Sequence, residues 1–325
     1  MCRRVRRACR LYSLINGRWA YPGLKIAFVN CIESAGRRVE LGMQRYKIIH
    51  RTYYNFTAPV TLGAHSLRLR PREGHELRIE SLSLNISPDA EVRWHRDVEG
   101  NSVATACFSQ PTQQLAIESE LFIGQYLENP LDFLVADYAV TYPFNYQQDD
   151  LVLLSPYIDT PAGEDRLELQ RWIGGVWRRG EAIETYSLLQ RLTTCIYESM
   201  SYRVREEPGV QPAATTLALG AGSCRDFALL LMAAARQLGL AARFVTGYLH
   251  DPLSEAAGAT HAWAEIYLPG AGWRGFDPTV GKIAGSDHIP VAVARLPVSV
   301  PPVAGSFRGD ARSKLEVGVW VSQCP

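Results

Sequence analysis

The sequence predicts an α+β protein in which an N-terminal β-sandwich precedes a domain that packs a helix on an antiparallel sheet. Over residues 45–123, short segments alternate apolar and polar residues and are separated by turn residues, which is typical of a β-sandwich. Residues 183–202 and 224–238 then show the apolar spacing of helices, and alternating segments follow them. Helices grouped with antiparallel strands are the pattern of an α+β domain.

The chain divides where this pattern changes. Residues 1–42 carry nine Lys or Arg against two Asp or Glu, and we expect them to form a poorly ordered basic extension. The sandwich is predicted over residues 43–127 and a connecting segment, interrupted by prolines, over residues 128–182. The second domain is predicted over residues 183–325.

Two local features refine the sandwich prediction. The apolar alternation changes parity between Ile79 and Leu82, which predicts a β-bulge inside one strand. Two further alternating runs, 92–97 and 103–108, flank a Glu-Gly-Asn turn and predict a hairpin.

Composition excludes several classes of protein. With 325 residues, 47% of them hydrophobic, and a formal net charge of +1, the chain is typical of an ordinary globular protein. We therefore expect no nucleic-acid partner. No apolar run reaches the roughly 20 residues that a membrane helix needs, so we also expect no membrane partner.

The cysteines indicate a reducing environment. Seven cysteines are scattered along the chain with no Cys-x-x-Cys pair, which fits neither a disulfide framework nor a zinc site. We expect reduced thiols, a cytoplasmic location and no bound metal.

Cys224 lies in a local context that gives a cysteine chemical meaning. A glycine-rich turn precedes it, Ser223 and Asp226 have the spacing of a capping box, and an Ala/Leu/Met-rich helix follows as far as Gly239. The unpaired N–H groups and positive dipole end of a helix favour a thiolate over a thiol. The alternative is a small buried apolar residue without chemistry.

Two later segments favour the chemical interpretation. His261 lies near the start of an alternating strand, residues 260–268, and Asp277 ends a second strand that returns after a Pro-Gly-Ala-Gly turn. A cysteine, a histidine and an aspartate supply a nucleophile, a base and an orienting group. We predict Cys224, His261 and Asp277 as the catalytic residues. His288 is a rival to His261, although it lacks the same strand and aromatic context.

Three motifs in this order resemble the bacterial transglutaminase-like cysteine protease family. They are Gly-x-Gly-Ser-Cys-Arg-Asp-Phe-Ala at 220–228, His-Ala-Trp-Ala-Glu at 261–265 and Trp-x-Gly-Phe-Asp-Pro-Thr at 273–279. Residues 46–126 also resemble the β-rich N-terminal domain that accompanies this core. The resemblance covers most of the chain from Met43 onward, and it implies a papain-like, transglutaminase-type core.

The resemblance implies a thiol-dependent hydrolase or acyltransferase that acts on peptide or glutamine-type amide bonds through an acyl-enzyme. We favour a cysteine peptidase or amidase with a peptide or protein substrate and no cofactor. The alternatives are a protein-glutamine γ-glutamyltransferase, an acyltransferase resembling arylamine acetyltransferases, and a binding or scaffold module without catalysis. The sequence does not discriminate between water and an amine as the acceptor, and it gives no oligomeric state.

Neighbouring residues receive supporting roles in this interpretation. Asp226 is expected to cap the helix, since a second negative charge disfavours a thiolate. Packing is favoured for Tyr202; the alternative is that it reaches the active site, in the role of the aromatic residue upstream of the nucleophile in related enzymes. Trp263 and Trp273 are expected to wall the site. Glu265 forms a His-x-x-x-Glu pair with His261, but without a third ligand this is a weak zinc pattern.

Overall fold

The computed structural model of the protein describes residues 43–159, 164–205, 207–253 and 257–324. The predicted basic extension, residues 1–42, lies outside the described residues. Within these ranges the strands, in chain order, are β1 Gln44–Leu62, β2 His65–Leu67, β3 Leu77–Ser87, β4 Ala90–Arg96, β5 Ser102–Phe108, β6 Thr112–Gln125, β7 Thr141–Tyr142, β8 Ile183–Glu184, β9 Ser201–Tyr202, β10 Ala221–Gly222, β11 Ala242–Leu249, β12 His261–Leu268, β13 Gly272–Asp277, β14 Lys282–Ile283, β15 His288–Ala294, β16 Val303–Ala304, β17 Phe307–Arg308 and β18 Ser313–Cys324.

Along the chain, the α-helices of the described residues all fall after β6 and before β11. They are α1 Gln148–Ile158, α2 Glu164–Val176, α3 Thr185–Ser199, α4 Ala213–Leu219 and α5 Cys224–Gln237.

Two sheets form the predicted sandwich. One has the order β17-β1-β6-β3 with β18 also paired to β1, and the other has the order β16-β2-β5-β4. Alternate side chains of both sheets fill the space between them, so that Leu67, Ala104, Leu115 and Ile117 are almost completely buried. The β-sandwich prediction is confirmed.

The two predicted local features are present. The register of β3 against β6 shifts between Ile79 and Ser81, which is the predicted bulge. β4 and β5 pair antiparallel from Ala90 to Phe108, which is the predicted hairpin.

The C-terminal strands differ from the predicted division of the chain. The sequence pattern predicts the second domain over residues 183–325, whereas in the structure β16, β17 and β18 join the two sheets of the sandwich. β18 pairs with β1 along twelve residues, from Arg45 opposite Cys324 to Phe56 opposite Ser313. An alternating strand pattern reports which face of a strand is buried, but not which strand is its neighbour.

The second domain is a five-stranded sheet of order β14-β13-β12-β11-β15 with α5 against one face. The apolar residues of α5 and the inward residues of β12, Ala262, Ala264, Ile266 and Leu268, form its core. Each Å² of apolar surface that this core removes from water stabilises the domain by about 25 cal/mol. The predicted α+β arrangement, a helix packed on an antiparallel sheet, is confirmed.

The connecting segment, residues 128–182, carries more structure than its prolines indicated. It forms α1 and α2, and α2 buries Leu169 and Ile173 in the core that surrounds α5. Pro156 lies inside α1 instead of ending it. This segment therefore packs on the second domain and covers its helical side.

Candidate active site

A hydrogen-bond network fixes the turn that carries Cys224. The predicted capping box of Ser223 and Asp226 is present, and the Asp226 carboxylate accepts the N–H and the hydroxyl of Ser223, both at 2.8 Å. The same carboxylate accepts the N–H of Gln211 at 2.7 Å and pairs with Nε of Arg205 at 2.9 Å. Asp226 is fully buried and has a structural role here.

The charge of Asp226 is stabilised by these donors. Burial acts to raise the pKa of its carboxyl, but the N–H groups of Gln211 and Ser223 and the guanidinium of Arg205 outweigh burial and lower it. An ionised carboxylate thus ties the loop before α4 to the first turn of α5 at neutral pH.

Tyr202 lies beside Cys224 because β9 and β10 pair in parallel, with Tyr202 opposite Gly222. Desolvation, together with the charge and hydrogen bonding of Cys224, raises the pKa of Tyr202 to about 12. The phenol therefore keeps its proton at neutral pH and is available as a donor. From the sequence, packing was favoured for Tyr202 over a place in the active site, whereas in the structure its side chain contacts Cys224.

His261 and Asp277 meet at the end of the sheet nearest the start of α5. Nε2 of His261 lies 2.7 Å from Oδ2 of Asp277, while Oδ1 accepts the N–H of Thr279 at 2.8 Å. Because Asp277 occupies Nε2, Nδ1 is the ring nitrogen left for Cys224. The structure therefore brings together the three residues that the sequence predicted, Cys224, His261 and Asp277.

Burial and charge act in opposite directions on this pair. Burial disfavours the imidazolium of His261, but the charge and hydrogen bond of Asp277 and the contact with Cys224 outweigh it, and the pKa of His261 rises. Burial likewise acts to raise the pKa of Asp277, but the charge and hydrogen bond of His261 and the hydrogen bond of His288 outweigh it and hold that pKa well below its usual range. The arrangement favours an imidazolium facing the sulfur and a permanently anionic aspartate behind it.

His288 is part of the same network and is not a substitute for His261. Its Nε2 lies 2.9 Å from the same Oδ2 of Asp277, and the residue is almost completely buried. The sequence offered His288 as a rival base, but its ring faces Asp277 and does not form the described contact with Cys224.

The cluster of His261, Asp277 and His288 has the composition of a metal site, with its ligand atoms within 4.8 Å of one another. The hydrogen bonds argue against that use. Nδ1 of His288 accepts the N–H of Gly285 at 3.2 Å, so Nε2 must carry the proton of the neutral ring and is not available as a lone pair for a metal. The two imidazoles and the carboxylate thus form a hydrogen-bond network centred on Asp277.

A cleft of about 410 Å³ opens at Cys224 and His261. Its walls come from the β9 region, β11 and the residues before β16, and they are largely apolar. The apolar lining includes Val204, Val210, Phe244, Val298, Val300 and Pro301. The apolar part of the lining suits apolar groups.

The two tryptophans lie elsewhere than the sequence analysis expected. Trp263 packs beneath the two imidazoles, with ring centroids 6.1 Å from His261 and 5.2 Å from His288. Trp273 stacks under the guanidinium of Arg243, which pairs with Glu265 at 2.7 Å. Neither tryptophan lines the Cys224 cleft, because both point to the face of the sheet opposite α5. Glu265 is thereby used in an ion pair.

Among the described residues, no helix combines the length and the apolar character needed to cross a membrane.

Comparisons with known proteins agree with this architecture. The model of the bacterial transglutaminase-like N-terminal region matches residues 46–123, and the model of the transglutaminase-like superfamily matches residues 178–278. An uncharacterised protein of Mycobacterium tuberculosis is 28% identical over 300 residues, with 86% of this chain and 93% of the relative covered. An uncharacterised protein of Mycobacterium leprae is 23% identical over 288 residues, with 86% and 99% covered.

A solved structure shares the fold. A protein from Cytophaga hutchinsonii described as a "putative cysteine protease" superposes with a TM-score of 0.67 at 20% identity, over 87% of this chain and 92% of its own. The two matched regions and the shared fold account for the sandwich, the sheet and the helix that starts at Cys224. By these matches, residues 178–278 are a transglutaminase-like core, and the bacterial transglutaminase-like N-terminal region precedes it over residues 46–123.

Proposed function

We propose that the protein is a thiol-dependent peptidase or amidase in which Cys224 is the nucleophile. The observation that carries this proposal is the continuous contact from Cys224 through His261 to Asp277 at the mouth of an apolar cleft. A peptide or protein segment is the proposed substrate, since the cleft is open and lined by apolar side chains.

In the proposed reaction, the Cys224 thiolate forms a bond to the carbonyl carbon of the substrate. The C–N bond then breaks, and the departing amine takes the proton from Nδ1 of His261. Water next attacks the thioester and gives a proton back to His261, which releases a carboxylic acid and restores the thiolate. Asp277 holds the imidazole in the orientation that these proton transfers require.

Hydrogen-bond donors lie near Cys224, where the carbonyl oxygen of the substrate would become an oxyanion. Cys224 is the first residue of α5, where backbone N–H groups have no acceptor within the helix, and the protonated phenol of Tyr202 lies beside the sulfur. One such donor contributes roughly 2.7–4 kcal/mol to transition-state stabilisation. We therefore expect Tyr202→Phe to lower kcat by about 100-fold or more.

The thiol itself is tested by alkylation. Purified protein is treated with iodoacetamide between pH 5 and 9, and mass spectrometry compares Cys224 with Cys107, which is exposed, and Cys195, which is half-buried. We expect Cys224 to react selectively well below pH 8 and to lose this selectivity in His261→Ala. Equal rates at the three cysteines contradict a catalytic thiolate and favour the scaffold alternative.

The reaction is tested with peptides that carry apolar or acidic side chains, each with and without an added primary amine. Hydrolysis that prefers apolar peptides and disappears in Cys224→Ser supports the proposal. Amide exchange in place of hydrolysis when the amine is present assigns the protein to the transferases.

A further inference from the structure

The Asp277 carboxylate has a second imidazole that the reaction outlined above does not use. Oδ2 accepts from Nε2 of His261 at 2.7 Å and from Nε2 of His288 at 2.9 Å. His288 is the first residue of β15, at one edge of the sheet, whereas His261 begins β12. Two different strands thus direct a ring nitrogen at one oxygen atom.

The surroundings of His288 determine which of its nitrogens carries the proton. Nδ1 accepts the N–H of Gly285 at 3.2 Å, and the backbone N–H of His288 donates to the carbonyl of Gly285 at 3.0 Å. A nitrogen that accepts an N–H is unprotonated, so the neutral ring must be protonated at Nε2. The turn before β15 therefore makes His288 a fixed donor to Asp277.

The ring is held in this position by packing as well. It meets the indole of Trp263 edge to face, with an interplanar angle of 82°, and its side chain is about 2% exposed. Asp277 has no exposed surface, so its rotamer is determined by its donors: His261, His288 and the N–H of Thr279.

We propose that His288 is a positioning residue that holds Asp277 in the rotamer facing His261 and thereby stabilises the thiolate–imidazolium form of Cys224 and His261. Without this donor, Oδ2 keeps a single imidazole partner, and the carboxylate loses one of the two hydrogen bonds that hold Oδ2 toward His261. The imidazolium then loses part of its counter-charge. This inference rests on the proposed function for its effect on turnover, but its effect on the thiol does not depend on any substrate.

Two variants of similar size separate the hydrogen bond to Asp277 from the other contacts of the ring. The amide nitrogen of His288→Gln reaches the place of Nε2 and keeps the donor to Asp277, but the variant gives up the acceptor for Gly285. His288→Asn does the reverse, because its shorter amide reaches only the place of Nδ1. His50→Asn is the matched control: His50 is also a buried, hydrogen-bonded histidine, but its partners, Thr52 and Tyr248, lie outside the site.

The measurement is the pH midpoint of Cys224 alkylation by iodoacetamide, followed by mass spectrometry. We expect His288→Asn to raise the midpoint by about one pH unit, a tenfold loss of thiolate at a given pH below it, with His288→Gln and His50→Asn within about 0.3 unit of wild type. On a hydrolysed peptide, His288→Asn should lower kcat about 10- to 100-fold and leave KM within about threefold, as for other groups that orient a reacting side chain.

An unchanged or lowered midpoint in His288→Asn overturns the proposal, as do equal shifts in His288→Asn and His288→Gln, which indicate packing alone. If His288→Asn does not fold, ¹⁵N NMR of histidine-labelled wild type decides. A bare Nε2 on His288 overturns the proposal, because that ring cannot donate to Asp277, and a protonated Nε2 supports it. If the wild type hydrolyses no peptide, the proposed function fails, but the alkylation midpoints still test His288.

Discussion

Replacing Asp226 by alanine should destabilise the protein through the turn that carries Cys224. The carboxylate is fully buried and satisfies the N–H and hydroxyl of Ser223, the N–H of Gln211 and the guanidinium of Arg205. Removing one partner of a buried ion pair costs about 3–5 kcal/mol, and the loss of the helix cap, about 1 kcal/mol by itself, is contained in that range because these donors share one acceptor. We expect the free energy of unfolding to fall by about 3–5 kcal/mol.

The assay is equilibrium urea unfolding of wild type, Asp226→Ala and Asp226→Asn at pH 7. Asp287→Ala serves as the matched control, because Asp287 is partly exposed and its contacts with His250 and Tyr46 are long, at 3.3 and 3.4 Å. The control should lose about 1 kcal/mol or less. A loss below about 1 kcal/mol in Asp226→Ala refutes the reasoning, since the donors would then find water or other acceptors without cost.

The pH dependence of the stability of Asp226→Asn tests the role of the Asp226 charge a second time. The folded-state pKa of Asp226 is lowered, so its contribution is fully present above its unfolded pKa of about 3.9 and is lost as the pH falls. The stability gap between wild type and Asp226→Asn should therefore narrow below about pH 4.

Three further outcomes are expected. Gly247→Ala should lower the free energy of unfolding, measured in urea, by about 1–3 kcal/mol or more, because a Cβ there overlaps the carbonyl oxygen of Ile289. The control Gly74→Ala adds its Cβ in open space and should lower it by less than about 0.5 kcal/mol. Equal losses in the two variants contradict the packing at Gly247. Deleting residues 313–325 should abolish soluble folded protein, since β1 loses β18, one of its two neighbouring strands, along twelve residues. A cooperative thermal transition in the truncated chain contradicts this expectation. Asp277→Asn should destabilise most between about pH 4 and 6.5. The pKa of Asp277 is lowered, so its contribution is lost as the pH falls below about 4; the pKa of His261 is raised from 6.5 to about 10, so the imidazolium's contribution is complete below pH 6.5 and is lost as the pH rises through about 10. A gap in thermal stability independent of pH contradicts the ion pair.

Features encoded within a few residues were predicted from the sequence and are found in the structure. The capping box joins Ser223 to Asp226 within one helical turn, and the bulge between Ile79 and Ser81 follows from a parity change inside one strand. The hairpin of β4 and β5 is equally local. Such contacts depend on spacing along the chain, which the sequence displays directly.

Contacts between distant residues were the ones that spacing did not reveal. The ion pair of Arg205 with Asp226 and the contact of Tyr202 with Cys224 both depend on how β9 and the loop after it lie against the start of α5. No local pattern marks Arg205, and for Tyr202 the sequence left open whether it packs or reaches the site. A sequence signal was present only for the partner at the helix start.

The sequence by itself determined the α+β class, the helix that presents Cys224 and the identity of the three residues proposed to carry the chemistry. Only the tertiary structure decided that β18 completes the N-terminal sheet and that His288 shares the carboxylate of Asp277 with His261. The physical reason is that a period of 2 or 3.6 residues records which face of an element is buried, whereas strand partners and shared hydrogen-bond acceptors are chosen by the packing of whole elements. The sequence does not show whether a buried histidine packs in the core, acts as a base or holds another residue in position. The roles of its two ring nitrogens depend on the atoms that the fold places around them.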